Sequence, residues 1–244
     1  MRNSPFVRVC FQAIILLMLA QSISAQQTRR IFQGDYDAKA MKFGYFLGLT
    51  NSNFKVKHNN YFVNKDNYYS ITSPSVYGLK MGGLVNFRIN DYFDFRVLPT
   101  VAIYSRKLEY KFIDTTLPDA DPKRFGEKSE LRETAWFEIP LMVKYKSERR
   151  GNVRMYVFGG LRYGVETNAV NRKKKQQFVT KGSDFSVEYG TGIEFFREYF
   201  KFAPEIHFSH GLNNLVDPVN NRNTPLAGVA RLNTHTITLF VLFE

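Results

Sequence analysis

At 244 residues the chain has room for one or two domains. Its 23 Phe and 14 Tyr stand against a single Trp while the mean hydropathy is −0.30, which favours amphipathic strands over helices buried all round. The formal charge of +12 admits nucleic acid, anionic lipid or acidic partners, so the compartment has to decide among them.

The first 25 residues decide it. Arg2 and Arg8 form a positive start, Val9 to Ala20 a short apolar run, and QSISA ends on the small residue Ala25. This pattern predicts a secretory signal peptide, 1–25, cleaved after Ala25 and too short to span a membrane as a helix. Cys10, the one cysteine, leaves with it, which excludes disulfides, Cys-ligated zinc and thiol catalysis from the mature chain. Loss of Arg2 and Arg8 lowers the formal charge to +10, and export makes nucleic acid a poor partner. No later stretch approaches the ~18 apolar residues of a transmembrane helix. Residues 26–40 read as a polar periplasmic lead, expected to be disordered rather than docked on a partner.

From residue 41 onward, apolar and polar residues alternate with the period of strands. The first run, 41–54, puts Phe43, Tyr45, Leu47 and Leu49 on one face and Lys42, Gly44, Phe46, Gly48 and Thr50 on the other. The second, 77–89, sets Tyr77, Leu79, Met81, Val85, Phe87 and Ile89 against Gly78, Lys80, Gly82, Asn86 and Arg88. Further runs follow at 93–112, 131–146, 153–166, 185–196, 200–212 and 234–244. They are long for a soluble sheet and match the roughly 9–11 residues, plus margins, that a tilted strand needs to cross a bilayer. Short connections at 90–92, 147–152 and 197–199 alternate with long ones at 57–76, 113–130, 167–184 and 213–233.

That rhythm predicts an all-β fold: an eight-stranded antiparallel transmembrane up-and-down β-barrel over 41–244, with tight periplasmic turns and long outside loops. An even strand count places both termini in the periplasm, at the outer membrane of a diderm bacterium. The apolar face goes to lipid, and the other carries charges of both signs into a filled polar lumen. A structural charge network is expected from Arg88, Arg96, Glu138, Arg154, Arg162, Glu188, Glu194 and Glu205. In the run around WFEIPLMVKYK, Phe137, Ile139, Leu141, Val143 and Tyr145 face lipid, while Trp136, Glu138, Pro140, Met142 and Lys144 face the lumen. Glu138 then needs a cation among Arg88, Arg96, Arg154 and Arg162, and Pro140 implies a bulge or a break in the ladder.

Phe137-Glu138-Ile139-Pro140-Leu141 with Lys144-Tyr145 resembles the hallmark strand of the PorT-like outer-membrane barrel family. Pro204-Glu205-Ile206-His207-Phe208-Ser209, leading to Gly211-Leu212-Asn213-Asn214-Leu215, and Tyr189-Gly190-Thr191-Gly192-Ile193-Glu194-Phe195-Phe196 are similar to it as well. The likeness spans about 41–244. It implies a non-enzymatic component of the type IX secretion system, needed for export and maturation of proteases and adhesins, with no catalytic residues. The partners it implies are other secretion-system proteins, alongside outer-membrane lipid and lipopolysaccharide; no cofactor, metal, nucleic acid or small-molecule substrate is expected.

Other chemistries are weaker. Glu205, His207 and Ser209 share a strand face, the constellation of a lipid A deacylase-like enzyme. However, they aim into the lumen, and residues two apart lie about 6.6 Å apart along a strand, too far for simple hydrogen bonding. His58, His207, His210 and His235 lack ligand spacing, although His207 and His235 could meet across adjacent strands. The basic loop 171–177 could hold lipopolysaccharide phosphates or simply be solvated. The aromatic loop 61–70 could contact protein or collar the membrane. A surface adhesin or small pore is the remaining alternative.

Overall fold

In a computed structural model, the described residues are 31–58, 68–113, 125–167, 180–216 and 229–244. The signal peptide, residues 26–30 and the loop segments 59–67, 114–124, 168–179 and 217–228 lie outside them, and with them most of the basic and aromatic loops. Among the described residues there are ten strands: β1 (Met41–His58), β2 (Tyr68–Thr72), β3 (Val76–Arg88), β4 (Phe93–Val97), β5 (Thr100–Ile113), β6 (Phe125–Lys146), β7 (Val153–Glu166), β8 (Ser183–Phe196), β9 (Lys201–Gly211) and β10 (Val229–Phe243). β2 leads into β3 and β4 into β5, so the ten strands make eight staves. Every neighbour is antiparallel, and β1 pairs with both β10 and β3, closing the sheet into a ring.

Closure of β1 onto both β10 and β3 leaves the staves without a first and last strand, the condition for strands in lipid; the short β2, beyond the β1–β3 pairing, is paired on the β5 side. Alternation sets the two surfaces. Phe137, Ile139, Leu141, Val143 and Tyr145 are 39–49% exposed on the outside, whereas Trp136, Glu138, Met142 and Lys144 are at most 2% exposed inside. At the end with the short turns, Phe93–Tyr145, Phe195–Phe202, Phe202–Phe243 and Tyr45–Phe243 form an aromatic girdle around the outer wall. Inside, Gly48 lies under the Phe240 ring and Gly190 under Phe158, where a β-carbon would collide with the ring. These glycines give the bulky lumen side chains their room.

Pro140 brings the expected break in the ladder but not a bulge. β6 runs through it without a bulge, and its register to β7 is constant. The interruption falls on the neighbouring stave, at Leu98–Pro99 between β4 and β5, and even there the register to β3 and β6 is kept. Leu98 donates its N–H to the Pro140 carbonyl (3.2 Å), but Pro140 has no N–H to return to the Leu98 carbonyl. The Thr100 hydroxyl donates to that carbonyl instead, at 2.6 Å. A side chain replaces the missing ladder bond, so the strand needs no extra residue.

Candidate functional site: the charged lumen

Because the period of a strand is two, each stave sends every second side chain inward, and the pairing registers stack these into layers. In the layer nearest the short turns, Glu194 accepts from Arg154 Nε (2.6 Å), from Lys201 (2.8 Å) and from Lys144. Lys201 also pairs with Glu244 (2.6 Å), and Lys146 with Asp94 (2.6 Å). In the middle layer Arg96 donates to Glu205 (2.5 Å) and Asn86 (2.8 Å), and Tyr156 donates to the same Glu205. His207 lies between Glu188 and Glu205, 2.6 Å from each, with its ring between Phe158 and Phe240.

Above this layer Glu138 meets Lys80 (3.1 Å), Arg162 (3.3 Å) and the Tyr104 hydroxyl (2.7 Å). Arg162 also donates to Ser186 (2.8 Å). Higher still, Arg106 packs over Tyr104 with Phe54 and Trp136 nearby, and Arg132 holds both oxygens of Glu166 at 3.0 Å. An apolar layer of Phe54, Ile71, Leu108, Leu215, Val229 and Leu232 covers the end with the long loops. Carboxylates taken out of water are strongly disfavoured unless ion-paired and hydrogen-bonded, and Glu138, Glu194 and Glu205 each have at least three donors or cations.

The opposite mouth is closed by the chain's own N-terminal lead. Residues Gly34–Ala38 form a short 3-10 helix, and Tyr36 donates to Glu244 while its ring meets Phe196 edge-on. Burial, then the Glu244 charge, push the Tyr36 phenol well above its ordinary pKa, so it remains a donor. Asp37 pairs with Arg154 (2.8 Å). Arg149, in the turn between β6 and β7, donates to the Phe32 carbonyl and to that of Gln33 (3.2 Å), and stacks on Phe196. The expectation of a disordered lead therefore fails for 32–38, because these residues find buried partners in the mouth.

Of the eight residues expected in the network, Arg96, Glu138, Arg154, Arg162, Glu188, Glu194 and Glu205 are buried in the lumen. Arg88 is the exception. It is the last residue of β3 and turns to Asp91, outside the network, so it does not serve Glu138. Arg162 does serve it, joined by Lys80, which sequence reasoning placed on the inner face without assigning it a partner. Lys201 and Glu244 were missed, although Lys201 shares the inward phase of Glu205. Two further expectations are corrected. Glu205 and His207 do bond, because their side chains lean toward each other. And His235 meets His210 on the outer wall, with ring centroids 4.8 Å apart, rather than the buried His207.

Both ring nitrogens of His207 face carboxylates, and the Ser209 hydroxyl makes no hydrogen bond among the described residues. The arrangement fixes charge and fills space. Among the described residues no cluster of His, Asp or Glu has the geometry to hold a metal ion.

A family profile described as outer membrane protein beta-barrel domain matches residues 24–217. No curated protein matches the chain. Among solved structures it is similar to Neisserial surface protein A (10% identity, 84% of this chain and 98% of that one, TM-score 0.43). It is also similar to OprG from Pseudomonas aeruginosa (12% identity, 83% and 91%, TM-score 0.40) and to Ail, the attachment invasion locus protein of Yersinia pestis (11%, 84% and 98%, 0.34).

Proposed function

The chain belongs to the outer membrane protein beta-barrel domain family, and from that premise we propose that it is a non-enzymatic, PorT-like accessory of type IX protein secretion. The protein is an outer-membrane β-barrel. In this reading both termini and the short turns lie in the periplasm and the long loops face outside. One observation carries the mode of action: the lumen is filled by ion pairs along its length, capped by apolar side chains at one end and by Tyr36 at the other. An eight-stranded ring encloses room for side chains or one small ligand, far too little for a folded protein. Cargo therefore crosses through another protein, and this barrel acts by contact at its turns, mouth or loops. The assignment to secretion rests on the likeness of the 137–145, 189–196 and 204–215 segments to the PorT-like family. Each of these three segments supplies one of Glu138, Glu194 and Glu205, on which the lumen network is centred.

A clean deletion complemented with the intact gene tests it. Secreted proteases and adhesins should accumulate unprocessed in the periplasm of the deletion strain and return to the medium on complementation. Normal secretion by the deletion strain would end the secretion reading and leave the barrel.

A further inference from the structure

The outward face of β9, β10 and β1 changes character near the end with the long loops. Below, it is apolar, with Leu49, Ile237 and Leu239 exposed. Above it the outward positions turn polar: Asn51 and Asn53, then Lys55 and Lys57, on β1; His235, Asn233 and Arg231 on β10; and His210 on β9. Register places them side by side. Lys57 is directly opposite Arg231, Lys55 opposite Asn233, and His235 opposite both Asn53 and His210. A groove of about 860 Å³ runs along them.

Two like charges directly across an antiparallel pair repel at a Cβ separation of about 5 Å. At two other surface positions a carboxylate neutralises the cation, Glu109 at Lys107 and Asp91 at Arg88. Here no carboxylate among the described residues pairs with Lys55, Lys57 or Arg231. Their framework is nonetheless built: Arg231 donates to the Leu212 carbonyl (2.9 Å), Asn233 to those of Gly211 (2.9 Å) and Asn213 (3.1 Å), and His210 contacts the Tyr189 hydroxyl (3.1 Å). Arg231 is thus held in place beside two lysines without counter-charge among the described residues, an arrangement that favours an external anion. An Arg fork beside two Lys suits the oxygens of a phosphate monoester.

We propose that Lys55, Lys57 and Arg231, with His210 and His235 below them, form a site for the phosphorylated headgroup of an outer-leaflet glycolipid. The position selects lipid over an acidic protein. These side chains point along the lipid-facing normal of the wall, in line with Leu49 and Ile237, at the height where the apolar belt ends. A protein arriving from outside would address the loop tips instead. The leaflet rests on the orientation proposed above, with the long loops outside.

The full-length mature protein in detergent should retain bis-phosphorylated lipid A in native mass spectrometry, and phosphate-free lipid A at least tenfold less. The variant Lys55→Gln/Lys57→Gln/Arg231→Gln should lose that preference, and Lys55→Arg/Lys57→Arg should keep it. Because the substituted side chains lie on the outer face and not in the lumen, the triple variant should still show the heat-dependent gel shift of a folded barrel. Equal retention of the two lipids, or undiminished retention by the triple variant, would overturn the site. So would displacement of lipid A by equimolar inorganic phosphate, which would mark a free-anion site, or displacement by an oligoglutamate peptide, which would mark an acidic protein partner. Orientation is read separately by labelling Lys57→Cys on whole cells with a membrane-impermeant maleimide. Labelling supports the outer leaflet. Lipid A retention in detergent without labelling overturns the outer-leaflet assignment alone.

Discussion

At the scale of single residues, this protein replaces what proline removes and pairs what burial isolates. Glu138 is 2% exposed with two cations and a phenol around it. Removing one partner of a buried ion pair leaves the other uncompensated, at a cost of roughly 3–5 kcal/mol. Glu138→Ala should therefore destabilise the barrel by about that amount, and Glu138→Gln, which can still accept from Tyr104, by less. The single tryptophan, Trp136, is on the same strand and buried, so its fluorescence during urea unfolding in lipid vesicles reports the change. Equal stability of Glu138→Ala and the wild type would show that water already solvates this position. The proline compensation gives a second test. Thr100→Val orphans the Leu98 carbonyl and should cost about 1–3 kcal/mol. In a Pro140→Val background, where residue 140 regains an N–H facing that carbonyl, the same change should be nearly neutral. Additive effects in this double-mutant cycle would remove the substitution of hydroxyl for ladder bond.

At the scale of elements, all eight staves were legible in the sequence, because alternation fixes face as well as strand. Phe43 to Leu49 and Phe137 to Tyr145 lie outward as their period requires. What alternation does not carry is height along the barrel. Which cation meets which acid depends on the stagger between staves, so Lys80 rather than Arg88 reaches Glu138. The meeting of His235 with His210 rather than His207 is by contrast a matter of face, since His207 points inward and the other two outward. Nor does a periodic signal exist for Gly34–Ala38, a single turn of 3-10 helix held by contacts far away in sequence. Those contacts are specific enough to test. Arg149 is the clasp, donating to Phe32, Gln33, Gly151 and Asn152. Arg149→Ala should leave the barrel folded and free the lead, raising the rate of trypsin cleavage after Lys39 several-fold while the heat-dependent gel shift persists. Unchanged cleavage would mean that Tyr36 and Asp37 hold the segment without the clasp.

At the scale of the whole molecule, the question is whether the interior takes part in function or only holds the wall together. The lumen is closed in series: Tyr36 at one mouth, the Arg96–Glu205–His207 layer in the middle, the Phe54–Leu232 cluster at the other end. Removing residues 32–38 opens only the first closure. The truncated protein in planar bilayers should accordingly show no more stable conductance than the full chain, and a persistent open channel would refute a filled barrel. If the interior is structural, its charges are exchangeable as well. Replacing a buried ion pair by apolar or neutral groups of similar volume is often neutral for stability, because the desolvation of both charges is relieved with the loss of their attraction. Lys80→Met with Glu138→Gln removes one charge of each sign, keeps an acceptor for Tyr104, and leaves Arg162 near Asp184 (3.8 Å) and Glu188 (3.9 Å). This pair should fold within about 1 kcal/mol of the wild type and restore secretion in the deletion strain as well as the native gene does. A folded double variant that fails to restore secretion would move the site of action from the surface of the barrel into its lumen.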